Sequence, residues 1–219
     1  MKRAQGFTLV EMLVALAVAG VIIAVILQYF VTSVPITAKA GASARESREL
    51  QNAASVIADD IRQATYILEP NHGAAINTTI AIGAPSTTGT KLIAMTVPVQ
   101  PGSDCTVQEF VAYYVAPRSG YVGGDEWVDP GPDPHNDSAD VLMQYRGCAS
   151  EAGPSATITN PDIRIVADYI DFAEFTYDPG DVRSVTIALR ARRVIRGSTL
   201  YTPSESGTVT LSAYARNIE

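Results

Sequence analysis

Hydrophobic and polar positions repeat with three different periods along this chain. Residues 12–27 carry no polar side chain at all. With Phe7 to Val10 in front and Tyr29 to Val31 behind, the apolar stretch is about 37 Å long as a helix, at roughly 1.5 Å per residue. That length crosses a hydrocarbon core of about 30 Å with some tilt. A single segment in lipid must satisfy its own backbone hydrogen bonds, which a helix does. Lys2 and Arg3 stand ahead of it, and such cations hold an N-terminus on the cytoplasmic side and leave the remainder outside.

Beyond the apolar stretch, Thr32-Ser33-Val34-Pro35 predicts a kink or local break, because Pro35 has no N–H for the preceding turn. Gly41 adds a soft spot. Leu50, Ala54, Ile57, Ile61, Ala64 and Leu68 then recur at three- and four-residue spacing, one face of a helix. Arg45, Glu46, Arg48, Glu49, Asn52, Asp59, Arg62 and Gln63 lie before and between them. Glu69-Pro70-Asn71-His72-Gly73 is the expected stop.

From there the period becomes two. Residues 78–83, 91–99, 109–116 and 141–146 read as strands, and 163–178 as one or two more with a short turn near Asp168. Residues 182–193 and 208–216 alternate strongly, and Gly197-Ser198 with Pro203-Ser204 lies in the link between them. Short links favour antiparallel pairing. The pattern predicts an α+β protein in which a long N-terminal helix carries an antiparallel β-sheet head. Its expected parts are 1–6 ahead of the helix, 7–34 as a membrane-spanning helix, 35–69 as its amphipathic continuation packed on the head, and 70–219 as the β-rich head.

Glu11 is the exception inside the apolar stretch. An ionised group there costs about 2.5–3.5 kcal/mol, so it needs a partner. One reading has its carboxylate reaching back to the headgroups. In another, removal of the residues before Phe7 creates an α-amino group about one turn away, in the same chain or a neighbouring one.

The run Lys-Arg-Ala-Gln-Gly followed by Phe-Thr-Leu-Val-Glu-Met-Leu-Val-Ala-Leu closely resembles the class III leader of type IV prepilins and type II secretion pseudopilins. A general secretory signal would be cut after its apolar region instead. The resemblance implies a pilin-like fold, with cleavage between Gly6 and Phe7 by a membrane prepilin peptidase that also N-methylates Phe7. It implies that Glu11 pairs with the Phe7 amine of an adjacent subunit during filament assembly. The implied partners are that peptidase and methyltransferase, other major and minor pilins or pseudopilins, an inner-membrane assembly platform and membrane lipid. The implied location is the bacterial inner membrane, single-pass with the head outside the cytoplasm, and a filament after assembly.

Residues 47–64, ending Asp59-Asp60-Ile61-Arg62-Gln63-Ala64, look like a helix of the PilW-type minor pilins and J-type minor pseudopilins, and residues 184–189 and 214–217 look like that group's C-terminal strands. The expected function is a minor pilin or pseudopilin that initiates or caps a filament serving motility, DNA uptake or secretion. The alternative is a filament-tip binding module whose head contacts DNA, a surface or exported cargo.

Composition narrows these readings. The formal charge of −7 becomes −9 once Lys2 and Arg3 are lost, and the pI is about 4.8. Bulk electrostatics therefore give DNA no support as a partner and do not favour anionic lipid for the head. Cys105 and Cys148 lie on the exported side, where two cysteines most simply form one disulfide; a redox pair or metal site lacks a CxxC spacing or nearby histidines.

His72 and His135 sit in turn-rich loops without a nucleophile or metal motif, and residues 120–124 lack a cation placed to hold phosphate. No enzyme activity and no catalytic residue are expected. In residues 123–140, Asp125, Asp129, Asp133, Asp137 and Asp140 offer hard oxygen donors for Ca²⁺, as loops in some secretion pseudopilins do. EF-hand spacing is absent, and a solvated turn-rich loop is the alternative. No other cofactor is expected. Trp127 is either a contact residue or an anchor for that loop.

Of Tyr113 and Tyr114, adjacent on a strand, one is expected in the core and one exposed. Arg118 is the lone cation near them for a base-stacking surface. Arg190 and Arg192 share one strand face, with Arg193 opposite and Arg196 beyond. That cluster would touch DNA or an acidic neighbour, or lie on a solvated sheet face.

Overall fold

In a computed structural model, residues 8–68, 92–122, 128–152, 158–178, 181–195 and 197–216 are described. The chain divides into two compact units, residues 1–42 and 43–219. Gly6, Phe7, His72, Asp125, Trp127, Arg196 and the strand expected at 78–83 lie outside the described residues.

The first helix, α1, is Leu9–Gln63. In the first unit its apolar side chains, among them Leu9, Met12, Leu16, Ile22, Leu27 and Phe30, are exposed. This stretch is long and apolar enough to cross a membrane. The break expected at Pro35 does not occur, since α1 runs through it. Proline withdraws only one N–H. The turns around it carry additional hydroxyl donors, from Thr32 to the Gln28 carbonyl at 2.8 Å and from Thr37 to the Ser33 carbonyl at 2.7 Å.

In the second unit the helical spacing emerges as a buried face: Leu50, Ala53, Ala54, Ile57, Ala58 and Ile61 are all essentially without solvent contact. The helix ends sooner than expected. After Gln63 the Thr65 amide donates to the Thr96 carbonyl at 2.8 Å, and Tyr66–Leu68 forms strand β1. Ile67 and Leu68 satisfy either period, so the β propensity of the Tyr-Ile pair and a ready neighbour strand decide the outcome.

The remaining strands are β2 (Leu92–Val97), β3 (Gln108–Pro117), β4 (Asp140–Ala149), β5 (Ile158–Asp178), β6 (Asp181–Ile195), β7 (Ser198–Thr202) and β8 (Val209–Tyr214). They form an antiparallel sheet in the order β1-β2-β3-β4-β5-β6-β7, with β8 also paired to β6. Two details differ from the sequence pattern. The link at 197–204 contains β7, which pairs with the end of β6. The turn near Asp168 is a bulge within one strand: Tyr169 has φ of +57°, and the β4 register skips it, passing from Ala167 to Ile170. At Ile170, β5 pairs with both Asp140 and Ala191 and passes from β4 to β6.

The sheet buries both faces. Val111, Tyr113 and Leu142 join the helix residues in one core, while Phe110, Ala112, Tyr114, Met143 and Tyr145 form a second on the opposite face. Tyr113 and Tyr114 are therefore both buried, contrary to the expectation that one is exposed. Alternation still separates them; each face simply has its own apolar cluster.

Candidate functional site

At the start of α1 the carboxylate of Glu11 accepts both the Thr8 amide and the Thr8 hydroxyl at 2.9 Å, and the Glu11 amide donates back to the Thr8 hydroxyl at 3.3 Å. The Thr8 carbonyl accepts the first helical bond, from Met12. This is a reciprocal capping box, in which an N-cap Thr and a Glu three residues on satisfy two otherwise orphaned amides. The sequence reading missed this cap, for which the Thr-x-x-Glu spacing was the available signal. In a single chain it gives the acid of the apolar stretch a local partner.

In the head, the loop carrying the candidate calcium ligands is organised by Arg118, which follows β3 in a short 3₁₀ turn. Arg118 is 1% exposed and donates to Asp168 (3.0 Å), Asp137 (3.2 Å) and the carbonyls of Pro130 (2.8 Å) and Gly131 (2.7 Å). Its guanidinium lies over the Tyr169 ring. Asn136, also buried, accepts the Val194 amide at 2.6 Å and donates to the Val194 carbonyl at 3.1 Å. The loop is thus tied to β5 and β6.

The acids of this loop have separate partners. Asp129 accepts the Gly131 amide, Asp133 lies near Asn136, Tyr169 and Arg193, Asp137 pairs with Arg118, and Asp140 opens β4. Among the described residues no three His, Cys, Asp or Glu side chains gather as a metal-binding group. His135 is exposed.

Beside the loop, Glu46 and Glu49 of α1 meet the β5 bulge. The Thr202 hydroxyl donates to Glu46 at 3.0 Å, and the Asp168 amide donates to Glu49 at 2.8 Å. Arg193 lies 3.8 Å from Glu46 Oε1, an oxygen that is buried and accepts no hydrogen bond from the described residues. Burial raises the pKa of Glu46, Glu49 and Asp168, against the bonds that each accepts and the charge of Arg193. Asp133 is the exception: burial opposes its charge, but the bonds from Asn136 and Tyr169 and the nearby arginines outweigh it and hold its pKa down. Burial and the neighbouring Asp168 push Tyr169 up to about 12.

A second polar group lies under the end of α1. Asp60 accepts Tyr113 Oη at 2.6 Å, Gln144 Nε2 at 3.3 Å and Arg146 at 3.0 Å. Arg146 also reaches Glu109 at 2.8 Å. A cleft of about 390 Å³ opens here, with Arg164, Asp162 and Asp59 among the residues at its wall. Cys105 and Cys148 are joined in a disulfide, with Cα atoms 5.0 Å apart, beside a cleft of about 360 Å³ that shares Arg146 and Asp162.

The β6 arginines are largely neutralised within the head. Arg190 lies 2.7 Å and Arg192 3.7 Å from Asp171. Arg190 is also over the Phe172 and Tyr201 rings, and Arg193 is engaged by Glu46, Asp133 and the Tyr169 ring. Sequence reasoning placed their faces and missed their partners, and it missed Arg118 as a buried centre. An unusually acid-rich neighbourhood around an isolated arginine was the available signal.

No curated protein and no solved structure matches the chain. Residues 1–27 match the family described as the prokaryotic N-terminal methylation motif, which marks this N-terminus as a class III prepilin leader of the kind carried by type IV pilin-like and pseudopilin precursors.

Proposed function

We propose that the chain is a minor pilin or pseudopilin, trimmed after Gly6 and methylated on Phe7, that helps to initiate or cap a type IV pilus-like filament. In this reading α1 anchors the subunit once across the inner membrane with the head outside the cytoplasm, and then enters the filament. The observation that carries it is Glu11, a lone acid in the exposed apolar stretch and inside the matched methylation motif. Its carboxylate is capped by Thr8 within the chain and gains a cationic partner only when a processed amine comes near. In this reading the head's role is structural: among the described residues its buried acids and arginines pair with one another.

Deletion of the gene, with filaments counted by electron microscopy and subunits quantified by mass spectrometry, tests the proposal. Few or no filaments, with this chain a trace component of those in the parent, is the expected result. A parent filament built mainly of this chain would overturn the minor role.

A further inference from the structure

We infer that the loop at 128–139 is built around an internal cation, the Arg118 guanidinium, and needs no bound calcium to hold its shape. Aspartates in a turn-rich exported loop invite a calcium reading, and some of these donors do converge. Two carboxylates, Asp168 and Asp137, and two carbonyls, Pro130 and Gly131, point at one place. What they meet there is a planar fork, 1% exposed, with Nε on Asp168, Nη1 on Asp137 and Nη2 on both carbonyls.

The spacing belongs to that fork. A guanidinium spreads its donors over a plane, each at ordinary hydrogen-bond distance. Calcium needs six to eight oxygens within about 2.3–2.6 Å of one point. The other described candidate aspartates lie elsewhere: Asp133 faces Asn136, Tyr169 and Arg193, Asp129 caps the Gly131 amide, and Asp140 opens β4 opposite Pro117 and Ile170. The described donors therefore do not fit the ion. Arg118 does what the ion would do, neutralising acids and gathering carbonyls, and its charge cannot be chelated away. The Asn136 amide, hydrogen-bonded to both backbone groups of Val194, fixes the far side of the loop and is likewise part of the chain.

Hydrogen exchange of the full chain in detergent micelles, read by mass spectrometry over residues 128–139, tests this. In the native protein, protection is expected to be the same within twofold in millimolar calcium and in EGTA. Arg118→Ala should raise exchange in that segment by at least about tenfold, the scale of one charge-assisted hydrogen bond, while β3 and β4 amides stay protected. If Arg118→Ala does not fold, Asp137→Asn instead removes the charge of a half-exposed partner while keeping an oxygen acceptor, and should raise exchange in the same segment by about threefold or more. Protection that collapses in EGTA, or loop exchange unchanged in the variant that folds, would overturn the inference.

Discussion

Asp60 on α1 and Arg146 on β4 are 86 residues apart in sequence, and the guanidinium lies 3.0 Å from the carboxylate. The pair does not stand alone. Tyr113 donates to the same carboxylate, and Glu109, almost fully buried, takes the other arm of Arg146. Asp60→Ala would strand a guanidinium between a phenol and a single acid. Breaking one side of a buried pair costs about 3 kcal/mol or more; with Arg146 partly exposed and still held by Glu109, the loss here is expected at about 1–3 kcal/mol. Urea denaturation of the full chain followed by circular dichroism should show that loss, and a change below about 1 kcal/mol would place the pair among surface bridges that contribute little.

Glu46, Glu49 and Asp168 give the head an unusual pH dependence. Burial raises each pKa above its ordinary value, 4.5 for the glutamates and 3.8 for the aspartate. Between the ordinary and raised values the folded chain binds more protons than the unfolded one, so stability falls as pH rises. The contribution of this cluster is therefore full below about pH 4 and is lost as pH climbs through the raised values. Asp133, with its lowered pKa, acts in the opposite direction. Glu46→Gln keeps an acceptor for the Thr202 hydroxyl and removes the charge. Its thermal midpoint should exceed that of the native chain by about 2–4 °C at pH 8 and coincide with it at pH 4. A lower midpoint at pH 8 would mean that the Arg193 attraction outweighs burial.

Those two clusters mark the limit of what the sequence disclosed. The apolar face of α1 from Leu50 to Ala64 was readable because a helix imposes its period on residues three and four apart, and all of those positions are buried. Most strands were readable from alternation for the same reason. The end of α1, strand β7 and the second apolar face were not. Each depends on a neighbour strand that local sequence does not reveal, as with Thr65 pairing to Thr96. Arg118 was legible as a cation and illegible as a buried one. Its burial follows from Asp168, 50 residues on, and charges are buried only where such partners exist. At the N-terminus the methylation motif was legible because it is local; the processing roles of Gly6 and Phe7 and the assembly role of Glu11 stay proposals drawn from that motif.

That motif makes a processing prediction. Gly6→Ala places a methyl group at the residue preceding the proposed cut, within the matched segment. An uncleaved precursor should accumulate in membranes, heavier than the native product by the six-residue leader. Intact-protein mass spectrometry reads this directly, and a mature-length chain from the variant would refute the requirement for Gly6 at the cut.

The Cys105–Cys148 bridge closes a separation of 43 residues. Constraining the unfolded chain over such a loop is worth roughly 3–4 kcal/mol. The paired substitution Cys105→Ser with Cys148→Ser should lower the denaturation free energy of the full chain by that order. Because Cys148 lies within β4, opposite Glu109, the loss should appear first as faster hydrogen exchange at 100–110 and spare β6 and β8. Unchanged stability in the double variant would show that the bridge follows the fold without supporting it.

Glu11 has one observed role, in the cap, and one proposed role, in assembly, which a single deletion would confuse. Its carboxylate completes the capping box with Thr8, and a Gln at the same position can serve that purpose as well as a Glu. Only the Glu offers a charge to a neighbouring amine. Glu11→Gln should therefore insert into the membrane, start its helix at the same residue and be processed normally, yet enter filaments at a tenth of the native level or less, about the effect of losing 1.4 kcal/mol of attraction. Thr8→Ala makes the opposite cut. It removes the cap hydroxyl, costs about 1 kcal/mol of helix stability, and leaves the charge in place, so incorporation should fall far less. Quantifying both variants in sheared filaments against membrane-bound protein separates the two contributions. Native incorporation of Glu11→Gln would assign the acid to helix capping alone and remove the basis for its part in assembly.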